Sequence, residues 1–271
     1  MQNAARPAPA NASPDYRRRR VHFALLKYLI VNADDFGFTR DVNEGIVHAH
    51  RNGILTATTL MATGPAFDHA VALARENPSL DVGVHLVLVG AEGYPRTLTS
   101  LTAAVALGQI KSYDRFRSQV LKILDAGLSP THLDTHKHTH LLPQVLSAVA
   151  RISQEFQIPW VRRLIPTPVP FLQSMGQAML ARQGCRTTDY FEGFEITGRY
   201  DQRTLASLIR RLPDGVTEFM CHPGFCREEL KAAHTRLKAS RQIELEALTG
   251  GEVRQAVEES SIQLVCYRDL A

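Results

Sequence analysis

The chain reads as an α/β protein, a (β/α) barrel of the TIM type, and two features predict it. Short apolar, β-branched runs recur about eight times, and helical spacing of apolar residues follows most of them. Strands alternating with helices imply a parallel sheet, and about eight such units imply a closed or nearly closed barrel. The length of 271 residues, with 44% hydrophobic and 21% charged, suits one unit of this kind and not a disordered or fibrous chain. A doubly wound open sheet is the alternative arrangement of the same alternation.

Taken in order, Tyr28-Leu-Ile-Val-Asn-Ala33 opens the strands expected at 28–33, 56–61, 82–89, 131–135, 160–164, 187–191, 216–221 and 262–267. Helices are expected at about 41–52, 66–77, 113–126, 142–156, 168–183, 201–212 and 235–258. Thr39 or Asp41 is a natural N-cap for the first helix, and Gly53 follows its end. Pro143 falls where a first helical turn begins. The longest irregular stretch, about 90–111, holds Gly90, Gly93, Pro95 and Gly108 and follows a strand, as a substrate-covering loop would. Residues 25–271 show no repeat, low-complexity insert or linker, so a single domain is expected there.

Residues 1–24 read as a disordered basic tail, rich in Ala, Pro, Asn and Arg. The run Arg17–Arg20 supplies much of the net charge of +4, so that charge says little about the folded surface. A solvated tail is preferred to a nucleic-acid or membrane arm. Lys27 interrupts the apolar stretch that follows, no small-residue cleavage site appears, and cleavage would remove the first core strand; export is therefore not expected. No apolar run approaches the ~18 residues that span a bilayer. Cys185, Cys221, Cys226 and Cys266 form no C-x-x-C pair and no disulfide framework, which makes the cytoplasm the expected compartment.

Barrel enzymes keep their chemistry at the carboxyl ends of the strands. There the sequence places Asp34-Asp35, then His85 in Gly-Val-His-Leu, then His132, Asp134, His136, His138 and His140, then Glu218 and His222-Pro-Gly. Each has a plain structural reading as well. Asp34-Asp35 would serve as a turn or cap pair, yet two carboxylates straight after Leu29-Ile-Val31 are costly to bury unpaired. Functionally, one binds a cation and the other, pointing to the opposite side as adjacent strand residues do, acts as general base. A lone His85 would be a core histidine; the tract at 132–140 changes that, although it also reads as a solvated loop. Extended backbone would put His136, His138 and His140 on one face, while a helical turn would pair His136 with His140. One carboxylate plus two imidazoles leaves positions open for water and substrate, as a hydrolytic site needs. His222 reads as a turn residue, or as a general acid or oxyanion donor.

The segments Val31-Asn-Ala-Asp-Asp-Phe-Gly37, Gly53-Ile-Leu-Thr-Ala-Thr-Thr59, Gly83-Val-His-Leu86, Thr131-His-Leu-Asp-Thr-His136 with His138 and His140, and Glu218-Phe-Met-Cys-His-Pro-Gly224 resemble the YdjC-like (ChbG-type) carbohydrate deacetylases over roughly residues 27–270. The resemblance implies a (β/α) barrel that removes an N-acetyl group from an N-acetylglucosamine-type sugar. It implies one divalent metal ion, Mg²⁺ or Zn²⁺, held by Asp35, His85 and His136, with Asp34 as general base and His222 assisting from the opposite side. Thr135 and Lys137 stand where the family often has Ser and another His; neither place is a required ligand, and Lys137 would alter the charge the substrate meets. Thr135-His-Lys-His with Val161-Arg-Arg-Leu-Ile-Pro166 also resembles the hopanoid-associated HpnK branch, whose sugar is carried on a lipid.

The partners expected are a small acetylated sugar, no nucleic acid and no transmembrane segment, with a homodimer left open. Phe36, Phe38, Trp160, Phe171 and Phe191 are candidates for an apolar platform under the sugar. The rival readings are a phosphoesterase or other amidohydrolase, and a non-catalytic sugar-binding protein. The first lacks the dense carboxylate set or Gly-rich loop that phosphate chemistry uses.

Overall fold

The computed structural model describes residues 26–165 and 170–270. The basic tail expected at 1–24 lies outside the described residues. Eight parallel strands are present: β1 (Lys27–Phe36), β2 (Ala57–Leu60), β3 (Asp81–Leu86), β4 (His132–Thr135), β5 (Trp160–Val161), β6 (Tyr190–Glu192), β7 (Gly215–Cys221) and β8 (Ile262–Leu264). Their order is β5-β4-β3-β2-β1-β7-β6. The last strand shares an edge of β1 with β2: β8 takes Lys27–Leu29 and β2 takes Asn32–Phe36. The two ends of the ring, β5 and the segment entering β6, are joined by the single parallel bridge Trp160–Arg186. The barrel is therefore nearly closed, as the alternation predicts.

The helices between the strands are α1 (Arg40–Asn52), α2 (Phe67–Glu76), α3 (Leu98–Ala106), α4 (Ser112–Asp125), α5 (Pro143–Phe156), α6 (Pro170–Arg182), α7 (Gln202–Arg210), α8 (Glu228–Ala232), α9 (Ala239–Thr249) and α10 (Gly251–Glu259). Thr39 caps α1 by accepting from the Val42 amide at 3.1 Å. Pro143 opens α5. Several expectations need correction. The stretch read as an irregular loop at 90–111 contains α3, which Thr97 and Ser100 start with a reciprocal capping box. The long helix expected at 235–258 is two helices, because the chain is extended at Gly250. The fifth strand is only two residues long, and the sixth begins at Tyr190 and not at 187.

Alternation along β1 divides the interior from the outer core. Leu29, Val31 and Ala33 pack outward beneath the helices. Tyr28 and Ile30 point into the barrel with Trp160, Val216 and Tyr267. Above that small apolar plug the interior turns polar. His132 lies across the barrel, its Nε2 2.9 Å from Asn32 Oδ1 and its ring stacked on Tyr267 at 4.0 Å. Burial pushes this imidazole down to about 4, so it is neutral. Gly83 makes room for it: a Cβ there would lie 2.5 Å from the His132 carbonyl oxygen and 2.6 Å from its ring. The sequence tract placed His132 among the candidates for chemistry; its position makes it a wall of the interior.

Gly83→Ala forces β3 and β4 apart at this point and is expected to lower stability by about 1–3 kcal/mol. Denaturant unfolding measures it, and a loss under about 0.5 kcal/mol, ordinary for a surface change, would contradict the packing described.

Candidate active site

At the carboxyl end of β1 the alternation breaks. Ala33 pairs with Thr58 and Phe36 with Leu60, so Asp34 and Asp35 together face Thr59 alone. Asp35 adopts the left-handed region, φ 70°. This bulge corrects the expectation that adjacent carboxylates point to opposite sides. Both reach the barrel mouth, and what separates them is their partners.

Asp35 Oδ2 accepts a hydrogen bond from Arg241 of α9. Its Oδ1 is buried and accepts none, yet lies 3.3 Å from His85 Nε2 and 3.2 Å from His136 Nδ1. Those two nitrogens are 3.1 Å apart. Three donor atoms 3.1–3.3 Å from one another have the spacing left by bonds of about 2.1 Å to a common ion. The carboxyl of Asp34 is held by two parallel bonds from Arg162, 2.7 and 2.8 Å, and its Oδ1 also accepts from Asn32 Nδ2. His222 Nε2 stands 3.9 Å from Asp34 Oδ2. Asp34, Asp35, His85, His136 and His222, the five residues to which the resemblance gives roles, thus meet at one mouth.

Behind them lie residues that sequence reasoning did not assign. Asp134 accepts from His85 Nδ1 at 2.7 Å and from Thr59 Oγ1 at 3.0 Å. This aims Nε2 of His85 at Asp35 and His136, the usual arrangement behind a ligand histidine. Arg162, 1% exposed, binds Asp34, Asp134 (2.7 Å) and Glu218 (2.7 Å) at once. Glu244 of α9 accepts the His222 amide at 2.6 Å, with the Gly198 amide and the Tyr200 hydroxyl on the same carboxylate. Gly45 of α1 sits so close to the turn after His222 that a Cβ would be 2.5 Å from Gly224 Cα.

The electrostatics follow from this crowding. Burial would raise Asp34, but the charge and hydrogen bonds of Arg162, with His85 and His222, hold it well below the usual carboxylate range. Burial likewise opposes ionisation of Asp35, and Arg241 with the two imidazoles overrides it. His85 moves the other way: burial disfavours its charge, but Asp134, then Asp35 and Asp34, raise it to about 10. Two guanidinium groups face three aspartates and Glu218, so negative charge is left over beside His85. A divalent ion fits this surplus and the bare Asp35 oxygen. A second carboxylate group, Asp34 with His85 and Asp134, also has ligand spacing. There Arg162 Nη1 bonds both aspartates, 2.8 and 2.7 Å away, and supplies the positive charge itself.

The histidine tract takes neither of the shapes considered. His136–Leu141 is a 3₁₀ turn kinked at Lys137 and His138, both left-handed with φ 54° and 52°. His136 faces the site, and His140 is tied to Thr135 Oγ1 at 2.5 Å and kept neutral by burial, at about 3. Among the aromatic candidates, Phe36 and Trp160 are core residues and Phe171 is exposed on α6. Phe191 lies near the site, 5.3 Å beneath the Arg162 guanidinium, and Phe38 lies 5.8 Å from that of Arg241.

Removing Arg162 leaves buried carboxylates without their cation, and Arg162→Leu is expected to cost about 3–5 kcal/mol at pH 7. Asp34 has a depressed pKa in the folded state, so its stabilisation exists above its unfolded value of 3.8 and fades as pH falls below that. The deficit of the variant therefore narrows toward pH 3 in urea unfolding; a deficit that stays constant with pH would contradict the pairing.

The family described as YdjC-like protein matches residues 28–259. A carbohydrate deacetylase of Brevibacillus brevis is 35% identical over 89% of this chain and 99% of its own length. One of Clostridium beijerinckii is 34% identical over 89% and 99%. A solved structure from Enterococcus faecalis V583, named for cellobiose-phosphate cleavage, superposes with a TM-score of 0.80 at 28% identity, covering 91% of this chain and 99% of that one. A peptidoglycan N-acetylglucosamine deacetylase shares the fold alone, at a TM-score of 0.50 and 10% identity. On the strength of the family match and these relatives, the chain belongs to the YdjC-like protein family.

Proposed function

We propose that this protein hydrolyses the N-acetyl amide of an N-acetylglucosamine-type sugar, releasing acetate and leaving a free amine. The observation that carries the reading is the buried, bond-free Asp35 Oδ1 between His85 Nε2 and His136 Nδ1, with Asp34 and His222 beside it. Relatives named carbohydrate deacetylase support the substrate class.

In this reading Asp35, His85 and His136 hold one divalent ion. Two imidazoles suit zinc, and carboxylate plus water suits magnesium. When bound, the ion supplies Lewis acidity toward water and the amide carbonyl, without which a neutral amide is a poor electrophile. Asp34 orients the attacking water and takes its proton. Arg162 favours the ionised form of that carboxylate against the burial that opposes it, which keeps the base available and makes it a weak one. His222, fixed through its amide by Glu244, returns a proton to the leaving nitrogen or donates to the oxyanion. A two-ion phosphoesterase is disfavoured, because Arg162 already bridges the carboxylates a second ion would use. The partner is a small acetylated sugar, free or lipid-carried; nothing in the reaction calls for nucleic acid or a second copy of the chain. We place the enzyme in the cytoplasm, in keeping with four free thiols. No helix of the described residues is long and apolar enough to cross a membrane.

Acetate release from chitobiose should be abolished by a chelator and restored by a divalent ion; chelator-resistant release would sink the reading. Asp34→Asn should keep its metal, by elemental analysis, and lose turnover by 10²-fold or more, on the order of general-base contributions. His136→Ala should lose metal, and unchanged metal content would move the ligand to another histidine. His222→Ala should slow turnover with metal retained, and a wild-type rate would remove it from the chemistry.

A further inference from the structure

Outside the ring of strands, α3, α4 and α5 border an open cleft of about 490 Å³. That volume lies within the ~300–1,000 Å³ usual for small-molecule sites. None of its lining residues belongs to the cluster of carboxylates and imidazoles at the barrel mouth. Ser112, Tyr113 and Asp114, the first three residues of α4, all line it. Lys111 stands in the capping position, and its ammonium group cannot accept a hydrogen bond, so this end has no side-chain cap. The amides of Ser112, Tyr113 and Asp114 donate to nothing among the described residues.

Two further features point to a ligand. Ser112 is only 7% exposed, yet its hydroxyl, on the cleft wall, has no hydrogen-bond partner among the described residues. A hydroxyl so buried is unfavourable unless something in the cleft meets it. Arg151 of α5 is an exposed cation with no ion pair or hydrogen bond among the described residues. It rests over the Tyr113 ring, 3.8 Å from the ring centre. The neighbouring carboxylate, Glu155, is already taken by the Tyr113 hydroxyl and by Arg117 Nε at 2.7 Å. The tyrosine thus positions the guanidinium and leaves its donors free.

Three amides, a hydroxyl and two cations line one cleft. That set exceeds what the two oxygens and single charge of a carboxylate would use; a phosphoryl group has three terminal oxygens and two charges. Asp114 is the one acid in the lining, so the cations outnumber it. Val105, Ile110 and Ala148 supply an apolar wall for the rest of an ester. We propose that this cleft binds a phosphomonoester, with its phosphoryl group on the Ser112–Asp114 amides and the Ser112 hydroxyl, between Lys111 and Arg151. The site is separate from the barrel mouth and does not rest on the deacetylase reading.

The probes are inorganic phosphate and glycerophosphate, titrated into the isotope-labelled whole chain and followed by heteronuclear NMR. Both should shift the amide signals of Ser112, Tyr113 and Asp114 saturably at millimolar concentration. Acetate should bind there about tenfold more weakly. Arg151→Leu should weaken phosphate binding by about tenfold, the size of one hydrogen bond to a charged group. Ser112→Ala should weaken it by about threefold or more, and Asp114→Asn should tighten it. The absence of a saturable shift would overturn the site. So would equal affinity for acetate, or an affinity unchanged in both Arg151→Leu and Ser112→Ala. Vesicles containing phosphatidic acid distinguish two sources of the same group. Sedimentation of the protein with them, lost in Arg151→Leu, identifies a lipid headgroup. Phosphate and glycerophosphate binding without sedimentation identifies a soluble ester, and either result supports the phosphoryl assignment.

Discussion

Asp34, Asp134 and Glu218 come from three strands and share the guanidinium of Arg162, which directly follows a fourth. Without it, their mutual repulsion and lost hydration would spread the barrel mouth or protonate the acids. With it, each carboxylate is fixed in a different task. Asp34 stays ionised and faces His222; Asp134 orients His85; Glu218, which burial pushes up even beside Arg162, closes the floor. The barrel can carry this cluster only because its lower interior is sealed by Tyr28, Ile30, Trp160 and Tyr267, with His132 above them.

A second arginine makes the division complete. Arg241 takes Oδ2 of Asp35 and leaves Oδ1 bare, so two neighbouring aspartates of like sequence acquire unlike surroundings. The bulge at Asp35 is what permits this, since regular pleating would have sent one of them into the outer core. Helix α9 governs both flanks of the site. Arg241 reaches Asp35, and Glu244, three residues later, holds the amide of His222. An outer helix of the barrel thereby sets the spacing between the proposed ligand and the proposed acid.

Much of this was legible in the sequence because strand ends are marked by abrupt changes of polarity. Leu29-Ile-Val31 running into Asp34-Asp35, and Val82-Gly-Val84 running into His85, located the mouth without any neighbouring chain. The partners were not legible. Arg162 is the first of two adjacent arginines after Trp160-Val161, nothing in the sequence separates it from Arg163, and it lies 128 residues from Asp34. On α9 the pattern is inverted: Arg241 and Glu244 are buried while Ile243 is 47% exposed, so amphipathic reading turns the helix the wrong way round. The available signal was spacing, since Arg241 and Glu244 share the face of Leu245 and Leu248. The kink at Lys137–His138 also escaped, because positive φ is uncommon in any non-glycine residue and Lys137 gives no sign of it, although His is enriched there.

In the proposed site, Arg162 and Arg241 sort the carboxylates so that a cation meets Asp35, His85 and His136. Anomalous diffraction from crystals soaked in zinc tests it directly. One peak within bonding distance of Asp35 Oδ1, His85 Nε2 and His136 Nδ1 is expected, with Arg162 still on Asp34. A peak between Asp34 and Asp134 with Arg162 displaced would contradict it.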